Sequence, residues 1–254
     1  MIQFTAIYVL WLREMIKYVR AKSRIVGAVA MPIFMLVFLG LGFRQVEVPG
    51  IPGEIGYIQY LVPGILGMTI LFSSAYTGMG VIMDRQYGFL KEVLVTPASR
   101  VSIVIGMMAG GATISLIQAT MMMVLSVLIG FRLPSLPQIA IAIVIMLLIS
   151  VIFINIGLTL SSVLKDFHGF NMIINFIVFP LFLLSGALFP VANLPGVIRV
   201  FSYIDPLTYG VDALRGIMIG YSEFSLAMDI AILAALGAVT VFMSGYFFQK
   251  GEAL

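Results

Sequence analysis

Six apolar runs govern what this chain can fold into: Val26 to Phe43, Tyr60 to Met83, Val101 to Gly130, Ile139 to Leu164, Met172 to Leu188 and Leu226 to Phe248. Each falls within or above the range of about 17–25 residues that a helix needs to cross the hydrocarbon core of a bilayer. The first five hold no Asp, Glu, Lys or Arg, and the sixth holds only Asp229 near its start. Across the 254 residues only 10% are charged, where a soluble domain carries about 25%. Lipid, not water, is therefore the expected solvent of most of the surface. An open sheet edge cannot be satisfied in lipid, so the expected fold class is all-α, a polytopic membrane protein with six transmembrane helices.

An even number of spans puts both termini on one side, and the basic residues decide which side. The amino-terminal segment (Arg13, Lys17, Arg20, Lys22, Arg24), the second loop (Arg85, Lys91, Arg100), the fourth loop (Lys165) and the tail (Lys250) carry ten Lys and Arg, against four in the other loops (Arg44, Arg132, Arg199, Arg215). By the positive-inside rule the N and C termini are cytoplasmic, in a multi-pass protein of the cell (plasma or inner) membrane. The net charge of +3 comes mostly from residues that border apolar runs, which suits membrane headgroups and gives no basis for a nucleic-acid partner.

Residues 1–24 are too charged to span and lack a small-residue cleavage site, so they do not read as a secretory signal peptide. Phe4, Ile7, Tyr8, Trp11, Met15 and Tyr18 fall on one side of a helix, with Arg13, Lys17, Arg20 and Arg24 opposite. The expected form is an interfacial amphipathic helix on the cytoplasmic face, with Trp11 at headgroup depth and Arg13, Lys17 and Arg20 toward water and phosphates. This divides the chain into 1–24 and a six-span domain, 25–254. Polar and small stripes mark the spans: Ser102, Gly106 and Gly110; Ser73, Tyr76, Thr77 and Gly80; Asn155, Thr159 and Ser162; Asn171 and Asn175. Each stripe suits helix packing or the lining of a path.

Several chemistries lack their residues. No lysine follows a glycine, so the glycine-rich phosphate loop of a P-loop ATPase is missing. The single histidine, His168, lies in the polar loop Lys165-Asp166-Phe167-His168, and neither HExxH nor GxSxG occurs. Absence of Cys removes thiol and Cys–metal chemistry. Ion-coupled carriers hold ionisable groups at membrane depth, and Asp229 is the one acidic residue inside a span, within a turn of its outer end. A secondary carrier, or another multi-span protein without an ATPase partner, stays open as the alternative function.

Two segments go beyond hydropathy. The second loop runs Asp84-Arg85-Gln86-Tyr87-Gly88-Phe89-Leu90-Lys91-Glu92-Val93-Leu94-Val95-Thr96-Pro97-Ala98-Ser99-Arg100. After the fifth span come Leu184-Ser185-Gly186-Ala187-Leu188-Phe189-Pro190, Asn193-Leu194-Pro195-Gly196, Asp205-Pro206-Leu207-Thr208-Tyr209 and Ala213-Leu214-Arg215-Gly216. In this order and at these topological positions, the two segments resemble the permease subunit of type-2 ABC exporters, the family of drug-resistance, nodulation-factor and polysaccharide export permeases. The loop departs from the family in Asp84 and Gln86, where Glu is frequent, and in Phe89, where Thr is common.

The resemblance implies a homodimer, or a heterodimer with a similar permease, bound to two copies of a cytoplasmic ABC ATPase that holds the ATP and Mg, with no cofactor on this chain. It makes Asp84, Arg85, Gly88, Phe89, Lys91, Glu92, Leu94, Thr96, Pro97 and Arg100 the ATPase coupling loop, and Lys165, Asp166 and His168 a second cytoplasmic contact. The loop's own chemistry agrees: Phe89, Leu90, Val93 and Leu94 are available to a partner groove, and Pro97 ends the helix that carries them.

Phe189 to Gly220 has no uninterrupted run long enough to span, being broken by Pro190, Pro195, Gly196 and Pro206. Asp205 followed by Pro206 is a strong helix start. From there Leu207, Val211, Leu214 and Met218 form one face, and Thr208, Asp212 and Arg215 the opposite one. The expectation is an extracellular re-entrant helical hairpin packed on the fifth and sixth spans, a gate that includes Tyr209 and Arg215, with a surface-lying cap as the alternative. Charge-free spans favour a lipophilic or lipid-linked cargo, whether drug, lipid or glycan. Since no phosphate-cradling lysine exists, the purified chain alone should neither bind nor hydrolyse ATP; micromolar nucleotide binding by the isolated chain, measured calorimetrically, would contradict this.

Overall fold

The computed structural model describes residues 3–44, 55–96, 98–164 and 166–251. Among them every regular element is helical: α1 (Phe4–Arg20), α2 (Lys22–Gly42), α3 (Tyr57–Ala75), α4 (Thr77–Gln86), α5 (Phe89–Leu94), α6 (Arg100–Val127), α7 (Leu136–Val163), α8 (Phe167–Leu184), α9 (Gly196–Ile204), α10 (Pro206–Ile219) and α11 (Leu226–Gly251), with a single 3₁₀ turn at Val191–Asn193. Six stretches are long and apolar enough to cross a membrane: Ile25–Gly42, Tyr57–Gln86, Arg100–Val127, Leu136–Val163, Phe167–Leu184 and Leu226–Phe247. They match the six apolar runs in number and order. Prolines 32, 63 and 180 lie inside them, as transmembrane helices tolerate.

The second span is two helices. α3 ends at Ala75 and α4 restarts at Thr77, with Tyr76 between them at ψ −3°. The break seats this stretch against α7, where glycines replace side chains. A Cβ on Gly78 would collide with the Gly157 carbonyl, and one on Gly157 would collide with the Ala75 carbonyl. Nearby, Ser74 and Ser115 both hydrogen-bond the Ser150 hydroxyl, at 3.1 and 2.8 Å, tying α3, α6 and α7 together. Asn155 of α7 accepts from Ser244 of α11, and the Tyr76 hydroxyl donates to Asn171 of α8 at 3.1 Å. Such bonds stabilise membrane bundles by about 0.6 kcal/mol each, so the glycine contact and apolar packing carry more of the fold than any one of them.

The amino-terminal helix differs from its expected form in bounds and in setting. It stops at Arg20, Ala21 breaks it, and Lys22 already belongs to α2. It also packs along α6. Leu10 and Ile7 meet Gly106, Glu14 meets Gly110, and the Gln3 amide donates to Ser102 Oγ at 2.9 Å. The Ser102, Gly106, Gly110 stripe is therefore the seat of α1. Tyr18, counted from the sequence on the headgroup face, is buried, while Phe4, Tyr8, Val9, Ile16 and Val19 stay exposed. The face that meets protein is rotated about a quarter-turn from the apolar face of the sequence pattern, because a hydrophobic pattern cannot separate residues that face lipid from residues that face another helix.

α10 also departs from expectation. It packs chiefly against α3, α7 and α11, the second, fourth and sixth spans, with only slight contact to α8 of the fifth; α9 is the element that leans on α8. Its supposed polar face is not open: Thr208, Asp212 and Arg215 are as buried as Leu207, Val211 and Leu214. Small residues allow this approach. Gly67 receives Val211 and Leu207, and Gly210 receives Ile149.

Because the Gly78 and Gly157 backbones are in contact, Gly78→Leu should disrupt the α4–α7 contact, costing about 1–3 kcal/mol or more. Gly80→Leu, four ångströms or more from any neighbour that a Cβ would meet, should cost little. Thermal unfolding of the two detergent-purified variants, measured side by side, checks this.

Candidate functional site

The loop between the second and third spans folds back on α1. α4 reaches Gln86, and Gly88 follows at φ +80°, a conformation that suits glycine and ends the helix. α5 then runs from Phe89 to Leu94, and Thr96 closes it by donating to the Val93 carbonyl at 2.6 Å. Ser99 caps α6 through the Ser102 amide at 3.2 Å. Pro97 lies outside the described residues, as does Lys165.

Asp84 is the hub of this turn. It is only 7% exposed, and Arg13 of α1 grips both its oxygens at 2.6 Å while Lys17 adds a bond of 3.0 Å. Glu14 bonds the same two cations, to Arg13 at 3.3 Å and Lys17 at 3.2 Å. The Arg13 guanidinium lies 3.4 Å from the centroid of the Phe89 ring, so the cation that binds Asp84 on one side stacks on α5 on the other. Three helices meet on one arginine. Arg13 and Lys17, expected to face water and headgroups, thus also bond protein while keeping part of their exposure, and Phe89, expected to be available to a partner, is half-buried with one face under Arg13. Val93 is buried too, whereas Tyr87, at 80% exposure, and Glu92 and Val95 face outward.

Arg85 joins this turn to the fourth loop. Its guanidinium donates to the carbonyls of Ser161 and Leu164 at 3.2 and 3.3 Å, at the C-terminal end of α7, where unpaired carbonyls favour a cation. Two residues on, Asp166 caps α8 through the Gly169 amide. His168 is exposed and stands edge-on to Phe167. Arg85, Asp166 and His168 therefore lie together at one end of the bundle. Arg100, exposed, opens α6. Trp11 donates its indole N–H to Thr113 of α6 at 3.0 Å, and Arg20 is exposed at the end of α1.

At the opposite end, Pro190 precedes the 3₁₀ turn, Pro195 and Gly196 start α9, and Asp205 caps α10 through the Leu207 amide at 2.9 Å with Pro206 in the first turn. Burial pushes the Asp205 carboxyl up to about 8, with that amide pulling the other way. Tyr209 donates to the Tyr203 carbonyl at 2.7 Å and closes the α9–α10 corner. Arg215, 3% exposed, has no carboxylate partner among the described residues. Instead it donates to the carbonyls of Tyr60, Gly186 and Ala187 at 3.2, 2.7 and 3.0 Å and lies 3.6 Å from the Tyr60 ring centroid. Asp212 accepts the Glu223 and Phe224 amides, both at 2.8 Å, and so fixes the return into α11.

Sequence reading missed Leu10, Glu14, Tyr60 and Asp212. The repeat Gln3, Ile7, Leu10, Glu14, facing a small-residue stripe of matching spacing on α6, was a signal for the first two. Nothing local marks Tyr60.

Removing Arg13 leaves a largely buried carboxylate short of its main partner. Arg13→Gln should lower stability by about 2 kcal/mol, below the range for fully buried pairs because Arg13 retains some solvent. Adding Asp84→Asn to it should recover much of that loss. Thermal unfolding of both single variants and the double variant measures the coupling, and additive losses would remove the network from the account.

The match to known proteins spans this whole arrangement. The family model for the ABC-2 type transporter covers residues 5–219. Nodulation protein J of Sinorhizobium fredii is 24% identical over 94% of this chain and 91% of its own length. The inner membrane transport permease YadH of Escherichia coli K12 is 23% identical over 99% and 97%, and the transport permease ycf38 of Cyanophora paradoxa is 27% identical over 82% and 72%. With the α4–α5 turn and the α9–α10 pair both inside residues 5–219, the chain belongs to the ABC-2 type transporter family, as a membrane permease.

Proposed function

We propose that this chain is the permease subunit of an ATP-driven exporter, working as a pair of permease copies with two copies of a separate cytoplasmic ABC ATPase, and moving a lipophilic or lipid-linked molecule out of the cytoplasm. The observation that carries the reading is the Arg13 joint. A push on the exposed side of the α4–α5 turn, at Tyr87, Glu92 and Val95, reaches Asp84 and Phe89, then Arg13, and through α1 reaches α6 along Ser102, Gly106 and Gly110. Arg85 sends the same push to α7. A partner that closes and opens with ATP can thus tilt several spans through one small turn.

Orientation rests on the basic residues: the end that carries α1 and α5 is the richer in Lys and Arg and faces the cytoplasm in this reading, in the cell membrane, in keeping with the relative YadH, an inner membrane transport permease by name. The α9–α10 pair then faces outward and gates the exit. At about 1.5 Å per residue, the fourteen residues of α10 reach about 21 Å, short of the roughly 30 Å core, so the pair enters and leaves on one side. The apolar, charge-poor spans leave no fixed ion for a charged cargo, which favours a drug, lipid or lipid-linked glycan.

Reconstitution in liposomes tests the proposal. Export should require the ATPase partner and ATP, and a proton or sodium gradient without ATP should give none. Gradient-driven transport by the chain alone would establish the carrier alternative. Glu92→Ala, on the exposed face of α5, should lower transport and substrate-stimulated ATPase activity several-fold while leaving assembly intact. Asn193→Cys and Ser222→Cys in a chain without native cysteines should both label from outside with an impermeant thiol reagent, and labelling of either from the cytoplasmic side would overturn the topology.

A further inference from the structure

Among the described residues, Asp229 is the one buried acid that the transport reading leaves without a task. It lies in the first turn of α11 and is 0% exposed, and neither carboxylate oxygen has a hydrogen-bond partner among the described residues. It takes part in none of the ion pairs found among those residues, which all lie at the α1 end.

The groups that could neutralise it are otherwise engaged. α7, the element most closely packed on α11, has no titratable side chain from Leu136 to Val163, and α6 has only Arg100 at its far end. On α10, Arg215 is spent on three carbonyls, Asp212 holds two amides of the return loop, and the Tyr209 hydroxyl is donated to Tyr203. In the return loop, Tyr221 sits against the Tyr60 ring and Glu223 is itself acidic. On α9, Arg199 donates to the Ala192 and Leu194 carbonyls. No cation among the described residues is paired with Asp229. The N-terminal dipole of α11 favours an anion by much less than enclosure without a partner disfavours it. A carboxyl group in this setting is stable only as the neutral acid.

We propose that Asp229 is a proton-binding site, filled in the conformation seen here and emptied when the contact between α10 and the first turn of α11 opens to water. In that step the carboxyl O–H bond breaks, the proton passes to water entering from the side of the Gly220–Ser225 loop, and the carboxylate is then hydrated. Proton binding follows from enclosure alone. The link to opening rests on the exporter reading, in which α10 belongs to the exit gate, and it makes protons on the exit side favour the closed state.

Infrared spectroscopy of the full chain in vesicles, without any ATPase, tests the binding step apart from transport. Protonated carboxyl groups absorb separately from carboxylates, and at neutral pH the wild-type spectrum should contain a protonated-carboxyl band that Asp229→Asn loses. Asp205 should contribute a second band that Asp229→Asn retains. Asp229→Glu keeps an acid in place and should shift the band without removing it, which serves if the Asn variant fails to fold. A band unchanged by both substitutions overturns the proposal, whatever the transport assays give. In the assembled exporter, Asp229→Asn should flatten the dependence of export on outside pH, and an unchanged pH profile would remove the link to gating while leaving the exporter reading intact.

Discussion

A bilayer interior offers no hydrogen-bond partners, so the backbone groups within the bundle must be satisfied by the protein itself, and side-chain polar groups that find partners do so on neighbouring helices or on their own, a constraint that decides where the helices can touch. The serine trio on α3, α6 and α7, the Asn155–Ser244 bond and the Tyr76–Asn171 bond each join segments that apolar packing already brings near. Where the chains approach most closely, side chains vanish altogether: Gly78 and Gly157 let α4 and α7 meet backbone to backbone, and Gly64 lets α3 meet the Ala187 carbonyl. Packing sets the separation and hydrogen bonds set the register. The break at Tyr76 fits this scheme, since a straight second span would not follow α7 on both sides of the Gly78–Gly157 contact.

The same rule was readable from sequence only in part. Apolar runs without charge gave the six spans to within a few residues, because hydrocarbon thickness fixes their length and a single ion is costly inside it. The motif Asp205-Pro206 gave the start of α10 for an equally local reason, the capping of free amides now made by Asp205 on Leu207. Partners were not local and were missed. The periodicity of α1 shows which residues are apolar, yet Tyr18 faces protein while Tyr8 faces outward, and only the stripe on α6 tells them apart. Asp84 and Arg85 read as surface charges on a loop. One is buried under Arg13 and Lys17 and the other caps α7, because their partners come from segments about seventy residues away in sequence.

The two ends of the bundle solve the problem of charge differently. At the α1 end, opposite charges meet in a half-buried network, in which Arg13 and Lys17 share Asp84 and Glu14. Such a network can exchange partners as the helices shift, at modest cost, since water reaches its rim. At the α10 end the charges are enclosed and held singly by the backbone, Arg215 by carbonyls and Asp212 by amides. Moving these residues means uncovering backbone groups along with the ion, so this joint has few intermediate positions. A turn that yields gradually at one end and a joint that is either made or broken at the other suit a device that receives a graded push and delivers an all-or-none opening.

A single chain also leaves no obvious room for cargo at its centre. Tyr60, Phe153, Phe170 and Phe182 fill the interior, each almost fully buried, together with a continuous set of Leu and Ile from α3, α7 and α10. An open depression of about 510 Å³ lined by Thr113, Leu116, Ile117, Thr120, Met121 and Val124 lies along α6. By contrast α2, α8 and α11 are packed on one side only, and α8 and α9, which lean on each other, leave Met172, Phe176, Phe179, Val197, Val200 and Phe201 all exposed. A route for a bulky molecule through so filled an interior would require the core to unpack, whereas a route along these bare faces requires only that another surface close it on the far side. In the proposed assembly that surface is the second permease copy, and the α9–α10 pair, resting on α8 through α9 and wedged among α3, α7 and α11 through α10, stands where such a route would end.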